Sequence, residues 1–330
     1  MPNKYMTLLR RSTPSAKVSR SSEACSSGNS RLSSSGVRLD RLIGFKAALQ
    51  GQGAGTKHFP VQCIQSPEVL EKINAHDYIG ALSIARSEDG EDIETIHAWM
   101  EHVMPTMDVT EQVRMDNRLN NSLYKVAGPS NEFPIVLKKM HDHELALREQ
   151  LAYNVSEFLG FHLVPPTVAR RGNMMTQVFL EGFTPGTRQP GTPAILSDRA
   201  KVFYYIINQK DDNEGNQMRD SLGTLMIIDN ESAFDTSPSL EYERALTTVL
   251  MSNVFTASMW EDFSSKGKKE WAALLEQKKS PLSKDEFKSF VARIERVKSI
   301  VQAQIDEGKI NIGTKRKGGF LHTLLGKGAR

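Results

Sequence analysis

The spacing of apolar residues changes twice along this 330-residue chain, and the order of the changes limits the folds available to it. From Pro60 to about Val113 the spacing is helical. Short apolar runs then follow at residues 123–126 and 135–137, and in the segments HLVPPTVARR and MMTQVFLEG, and each run has the length and flanking turns of a strand. After Pro193 the spacing is helical again. We therefore predict an α+β fold with a small β-rich lobe, which contains one helix, followed by a larger helical lobe.

The two ends of the chain differ in composition from this central part. Residues 1–57 are rich in Ser and Arg and carry ten Lys or Arg against two acids. Their few large apolar side chains cannot offset the entropy lost on ordering, so we predict a disordered leader. The leader lacks the apolar core of a secretory signal peptide. Its composition suits an organelle transit peptide, the export leader of a bacterial effector, or a tail of a cytoplasmic protein.

The predicted organisation has five segments. They are the leader (1–57), a helical extension (58–117), the β-rich lobe (118–182), the helical lobe (183–312) and a basic tail (313–330). The tail combines Lys and Arg with an apolar strip and is suited to contact with an anionic membrane. Nucleic acid is not expected as a partner, because almost no aromatic residues lie among the basic residues of the leader. Two cysteines exclude a disulfide framework.

The stretch QKDDNEGNQMRDSLGTLMIIDNESAF, residues 209–234, carries the strongest chemical signal. An acid and amide cluster begins at Asp211 and extends to Asn216, and an apolar run ends abruptly in Asp229. Turn chemistry explains any one of these residues. Binding ATP with a metal, however, requires a phosphate-binding cation, an acid that fixes it, two metal ligands and a base near the acceptor. The chain offers Lys138, Glu149, Asp211, Asn216 and Asp229 in the order in which a kinase fold uses such residues.

Two parts of this set resemble a known family. The pair DDNEGN and IIDN resembles the catalytic loop and metal loop of the phosphoinositide 3/4-kinase-like branch of the protein-kinase fold, and Asp211, Asn216 and Asp229 match its spacing. The segment REQLAYNVSEFLGFHLVPPTVARR is similar to the helix and strand of four-jointed-type kinases and type II phosphatidylinositol 4-kinases. MTQVFLEG resembles the strand that enters the hinge of that family. The resemblance covers residues 119–234 and implies a two-lobed kinase-like fold.

The resemblance also implies cofactors and roles. The cofactors are ATP and Mg²⁺ or Mn²⁺. Lys138 would hold the phosphates, Glu149 would pair with Lys138, and Asp211 would orient or deprotonate the acceptor hydroxyl. Asn216 and Asp229 would hold the metal ion.

Three further residues would contact the nucleotide. The backbone of Asn121 and Ser122 would cover the phosphates, and Glu181, in the hinge-like stretch, would contact the nucleotide. The expected acceptor is a Ser or Thr hydroxyl of a protein, with a phosphoinositide as the less favoured choice, because the segment after Asp229, NESAFDTSPSLEYER, is acidic.

Several alternatives stay open at this point. Lys139 is the other candidate for the phosphate-binding lysine, and Glu144 is the other candidate for its partner. Asp212 stands where this branch normally has a basic residue, and the glycine-rich loop and the His-Arg-Asp triplet of ordinary protein kinases are missing. The alternative function is therefore a catalytically degenerate kinase-fold scaffold.

Overall fold

The computed structural model describes residues 64–87, 92–116, 122–127, 131–185, 194–211, 214–221, 223–237, 240–277 and 280–312. These residues belong to one compact unit. The predicted leader and tail, Asn121 and Asp212 lie outside the described residues. Within the described ranges, no helix is both long enough and apolar enough to cross a membrane.

Among the described residues, three helices form the N-terminal part, namely α1 (Pro67–Asn74), α2 (Tyr78–Ser87) and α3 (Asp92–Val103). Ser66 caps α1, as its sequence predicts, because its hydroxyl accepts a hydrogen bond from the amide of Val69 at 3.4 Å. The buried carboxylate of Asp92 accepts hydrogen bonds of 2.9 Å from the amides of Gln65 and Ser66. The start of α1 is therefore tied directly to the start of α3.

The helical pattern ends earlier than the sequence indicates. Helix α3 stops at Val103, a 3₁₀ turn with Pro105 follows, and residues Gln112–Asp116 form strand β1. The helical assignment up to Val113 is wrong at its end, because proline cannot continue the hydrogen-bonding pattern of a helix. Val113 and Met115 instead alternate with polar neighbours, which is the period of a strand, and both are exposed.

Five antiparallel strands form the main sheet, in the order β1-β2-β3-β5-β4. The remaining strands are β2 (Ser122–Val126), β3 (Ile135–Lys139), β4 (Thr167–Arg170) and β5 (Met174–Val178). Helix α4 (His143–Phe158) connects β3 to β4 and packs on β4 and β5. Asp142 caps its start and Gly160, at φ 69°, follows its end, as the sequence predicts.

The two faces of this sheet have different partners. Ile135 and Leu137 share a hydrophobic cluster with the N-terminal helices, in which Trp99 and Met100 are fully buried. Successive side chains of a strand point to opposite faces, so Lys138 faces the other side, where α4 lies. The register of β3 places Lys138 between Leu123 of β2 and Met175 of β5.

A polar cluster around Glu157 joins the N-terminal helices to the end of α4. Glu157 Oε2 lies 2.9 Å from His97 Nδ1 and 3.0 Å from His162 Nδ1. Arg86 Nη2 lies 3.2 Å from His97 Nε2. A guanidinium only donates, so Nε2 of His97 accepts and the ring proton sits on Nδ1, facing Glu157. Burial would raise the pKa of Glu157, but the electrostatic interactions of its carboxylate with His97 and His162 outweigh burial and hold the pKa well below its usual range.

Replacing Glu157 with glutamine is expected to lower the free energy of unfolding by about 2–4 kcal/mol at neutral pH, because Arg86 and His162 lose their buried counter-charge. Folding depresses the pKa of Glu157, so its stabilisation is complete above the unfolded pKa and is lost as pH falls. The difference in the free energy of unfolding between the parent and Glu157→Gln should therefore decrease below about pH 4.3. Urea denaturation measures it, with Glu276→Gln on an exposed face as the control. Equal stability of the Glu157 variant and the parent at neutral pH would show that the cluster does not stabilise the fold.

The second half of the chain is mainly helical. It contains α5 (Ala194–Ile207), α6 (Leu240–Thr248), α7 (Ala257–Ser265), α8 (Lys268–Gln277) and α9 (Lys284–Asp306), with a small antiparallel sheet of β6 (Thr184–Pro185), β7 (Gln217–Arg219) and β8 (Leu225–Ile227). These helices and the end of α4 share one large hydrophobic cluster, centred on Phe203, Phe263, Trp271 and Phe290. The α+β class, with a small β-rich lobe and a larger helical lobe, is confirmed.

Two boundaries in this lobe differ from those that the sequence predicts. Ser197 is predicted as the N-cap of the helix after Pro193, but α5 begins at Ala194, so Ser197 lies inside it. One helix is predicted over residues 240–260, but the structure has two, because Leu250 is extended between them. Gln304 of α9 compensates the break, since its side chain accepts from the amide of Met251 at 3.0 Å and donates to the carbonyl of Val249 at 2.9 Å.

Candidate active site

The side chain of Lys138 lies at the centre of a cluster of three carboxylates. Its Nζ is 3.1 Å from Glu149 Oε1 and 2.7 Å from Glu231 Oε2, and it also contacts Asp229 Oδ1. Only 5% of Lys138 is exposed. Burial by itself would lower the pKa of this lysine, but the charges of Glu149, Asp229 and Glu231 outweigh it and raise the pKa above its usual value. Lys138 is therefore a buried, permanently charged ammonium group.

Glu149 connects the lysine strand to the segment that follows β8. It is fully buried, and its Oε2 accepts a 2.9 Å hydrogen bond from the amide of Asn230 while Oε1 contacts Lys138. Burial raises the pKa of Glu149, and the charge of Lys138 and the Asn230 amide oppose that rise. Both oxygens accept from donors, which is the hydrogen-bonding pattern of the ionised form. Glu149 thus fixes the position of Lys138.

Asp229 directs its side chain toward Lys138 by an unusual backbone conformation. Strand β8 ends at Ile227, and two residues later Asp229 adopts φ 62°, in the left-handed region that aspartate and asparagine tolerate better than most residues. The buried side chain of Gln209 donates to the carbonyl of Asp229 at 3.0 Å and so supports this turn. At 39% exposure, the side chain of Asp229 remains accessible to a ligand from solvent.

The loop that contains Asp211 and Asn216 lies beside Asp229. The carbonyl of Asn216 accepts from the amide of Ile228 at 2.9 Å, and the side chain of Asn216 donates to the carbonyl of Asp211 at 3.3 Å. Asp211 is exposed, whereas Asn216 is buried. Gln209 reaches this loop as well, since its Oε1 accepts from the amide of Asp211 at 3.4 Å. One buried glutamine therefore links the Asp211 loop to the Asp229 turn.

The structure thus brings three of the predicted residues, Lys138, Glu149 and Asp229, into one cluster, and it places Asp211 and Asn216 in the adjoining loop. The alternative candidates, Lys139 and Glu144, do not occupy the positions of Lys138 and Glu149. Lys139 lies 4.9 Å from the ring centre of Tyr124, and Glu144 pairs with Arg148 at the start of α4.

The positions of the residues predicted to contact the nucleotide give less information about that role. Ser122 begins β2 and pairs in register with Lys139, one residue from Lys138. Glu181 is exposed in the segment between β5 and β6, where its amide donates to the carbonyl of Phe179 at 3.1 Å. Asn121 lies outside the described residues. Their contacts with a nucleotide remain predictions.

Sequence reasoning missed two residues of this cluster. Glu231 follows Asp229 by two positions in the motif DNE, and that spacing of two acids is the signal that indicates it. Gln209 has no comparable signal. It stands at the end of α5 among ordinary polar residues, and its role becomes visible only from its hydrogen bonds to both loops.

The composition of the cluster fits a divalent cation and a phosphate group. The carboxylate oxygens of Glu149, Asp229 and Glu231 lie within 4.8 Å of one another, and hard oxygen ligands of this kind are those that Mg²⁺ and Mn²⁺ prefer. The ammonium of Lys138 is the kind of group that holds the phosphates of ATP. Binding of a metal ion and of ATP at this cluster stays a prediction.

No protein-family profile matches this sequence, and no curated protein matches it. Among solved structures, the chain is similar to hydra Fam20, whose structure was determined with sugar. That similarity has a TM-score of 0.44 at 12% sequence identity and covers 66% of this chain and 90% of the hydra chain.

Proposed function

We propose that the protein is an ATP- and metal-dependent phosphotransferase of the atypical kinase type, which transfers the γ-phosphoryl group of ATP to a hydroxyl group. The observation that supports this most strongly is the buried pair of Lys138 and Glu149, held against Asp229 by the hydrogen bond from the amide of Asn230. A strand lysine, a helix glutamate and an acid after a buried strand are the three charges around which kinase folds bind nucleotide phosphates.

Each charge has a distinct task in this proposal. Lys138 binds the phosphates, and Glu149 keeps the lysine in place through an ion pair of 3.1 Å. Asp229 and Asn216 hold Mg²⁺ or Mn²⁺, which when bound offsets the charge on the transferred phosphoryl group. Gln209 keeps these two ligands in register, because it hydrogen-bonds to the segments that carry both.

Asp211 is the proposed residue at the acceptor. It is exposed to solvent, so the hydroxyl group of an acceptor can reach its carboxylate. The carboxylate would orient this hydroxyl and accept its proton as the oxygen attacks the γ-phosphorus. Its backbone is fixed by hydrogen bonds from the side chain of Asn216 and to that of Gln209.

A protein hydroxyl is the acceptor that we favour. The segment after Asp229 carries Glu231, Asp235, Glu241 and Glu243, and a phosphoinositide headgroup would be repelled by these acids. A Ser or Thr side chain carries no such charge. The basic tail is the feature that favours a lipid acceptor, since it is suited to an anionic membrane.

A catalytically degenerate scaffold is the second candidate, and one observation favours it. Lys138 is engaged by Asp229 and Glu231 in addition to Glu149, so its ammonium is not turned toward an open phosphate site. In the sequence, Asp212 stands next to Asp211, where the related branch has a basic residue.

Transfer of labelled γ-phosphate from ATP distinguishes these candidates. The protein would be incubated with Mg²⁺ or Mn²⁺ and with a cell lysate or vesicles containing phosphoinositides, with Asp211→Asn as the matched control. We expect labelling of proteins that depends on the metal and is lost in the control. Labelling of lipid alone would identify a lipid kinase. Nucleotide binding without transfer to either class would support the scaffold.

A further inference from the structure

The cluster around Lys138 holds more negative charge than the lysine neutralises. Three carboxylates, those of Glu149, Asp229 and Glu231, contact one ammonium group, so these four side chains together carry two negative charges at a site proposed to bind anionic phosphates. The pair of Lys138 with Glu149 and the metal ligand Asp229 are part of the proposed function. Glu231 is not required by it, and its presence needs an explanation of its own.

The geometry of the Asp229 turn divides the three carboxylates into two kinds. Glu149 is fully buried and receives the amide of Asn230. Asn230 is itself fully buried. Its two neighbours, Asp229 and Glu231, both contact Lys138, and their side chains are 39% and 24% exposed. Two of the three carboxylates can therefore be reached from solvent while they hold the ammonium group.

We propose that Asp229 and Glu231 exchange the ammonium of Lys138 for a divalent cation before nucleotide binds. In the metal-free protein, Lys138 serves as the cation of this site. When Mg²⁺ or Mn²⁺ binds to Asp229 and to Glu231, as a ligand additional to the Asn216 of the proposed function, Lys138 keeps its pair with Glu149 and is released from the other two carboxylates. The inference deepens the proposed function and rests on it only for the consequence that the released lysine then meets the phosphates.

Charge and ligand chemistry support the exchange. A divalent ion between Asp229 and Glu231 carries the charge that balances these two carboxylates, and Lys138 still balances Glu149. Mg²⁺ sites with one or two carboxylates usually complete their coordination with substrate phosphates. A second, partly exposed carboxylate beside Asp229 raises the affinity for the metal alone, since the number of charged ligands tunes metal affinity. Glu231 would thus allow metal to bind first.

Titration of Mn²⁺ into the nucleotide-free protein tests the exchange directly, with the concentration of free Mn²⁺ measured by electron paramagnetic resonance. We expect the parent to bind one ion and Glu231→Gln to bind it about 10- to 100-fold more weakly. Lys138→Met removes the competing ammonium, so it should bind Mn²⁺ about tenfold or more tightly than the parent although it cannot support transfer. Glu276→Gln, the same change on the exposed surface of α8, should match the parent.

Two results would overturn the exchange. One is an unchanged Mn²⁺ affinity in folded Glu231→Gln, and the other is an affinity in folded Lys138→Met that is no higher than in the parent. If Lys138→Met does not fold, the nuclear magnetic resonance signal of the Lys138 ammonium group is measured in the parent instead. That signal should shift or vanish as Mg²⁺ is added, and an unaffected signal at saturating Mg²⁺ refutes the exchange. Because these measurements contain no nucleotide, they are independent of whether phosphate transfer is found.

Discussion

Replacement of Asp211 with asparagine is expected to lower turnover on the order of 10²-fold or more while leaving the affinity for metal and ATP near that of the parent. Asparagine keeps the size of aspartate but loses the charge that orients or deprotonates the acceptor hydroxyl. Asp211 is exposed, and its contacts with Asn216 and Gln209 are made by its backbone, so the substitution leaves the loop intact. Steady-state transfer to an identified acceptor and nucleotide titration measure the two quantities.

The same variant separates chemistry from turn formation. If the acids and amides of this loop only shape a turn, Asp211→Asn costs at most about 1 kcal/mol of stability, and turnover per folded molecule is preserved. Lys210→Gln, on the neighbouring residue, controls for the loss of a charge in the loop, because Lys210 contacts the carbonyl of Ser237 and not the cluster. Full turnover of Asp211→Asn on a verified acceptor would remove Asp211 from the site.

Replacement of Asp229 is expected to abolish metal-dependent nucleotide binding. Asp229→Asn is the sharper variant, because asparagine tolerates the φ of 62° that this position requires and keeps the shape of the side chain. It should lower the affinity for ATP with Mg²⁺ on the order of 10²-fold, because one charged metal ligand is lost. Asp229→Ala should show the same loss together with about 1 kcal/mol or more of instability from the left-handed backbone.

Thermal unfolding with and without ATP and divalent ion measures this effect. The parent should be stabilised by the two ligands together, and folded Asp229→Asn should show no metal-dependent increase in melting temperature. Asp235→Asn provides a control, since Asp235 lies in the same segment but hydrogen-bonds to the amide of Ser237 and not to Lys138. A metal-dependent shift of parental size in Asp229→Asn would show that the ion binds elsewhere.

Local signals in the sequence predict much of this fold. The bounds of α4 follow from Asp142 and Gly160, and the hairpin of β2 and β3 follows from its two apolar runs, because capping and alternation are properties of neighbouring residues. The end of the helical extension and the break between α6 and α7 do not follow. Gln304, which stabilises that break, lies 53 residues beyond Met251, so no local pattern contains it.

The candidate site likewise combines features that local sequence patterns predict with features that depend on distant residues. Spacing predicts the order of Lys138, Glu149 and Asp229. In the helix predicted from about Asp142 to Leu159, the apolar face includes Leu147, Leu151 and Val155, and the pattern places Glu149 only at its margin. The structure instead buries Glu149 completely, since Lys138 and the amide of Asn230 satisfy its two oxygens. That pairing depends on the sheet register and on the turn after β8, which no helical pattern reveals.

Calorimetric titration of ATP into the protein tests the central claim most directly, namely that Lys138, Glu149 and Asp229 form a metal-dependent nucleotide site. We expect one ATP per chain to bind in the presence of Mg²⁺ or Mn²⁺, little binding after removal of divalent ions with a chelator, and loss of binding in Asp229→Asn. Absence of binding with either metal, or equal binding with and without divalent ions, would contradict the assignment of this cluster.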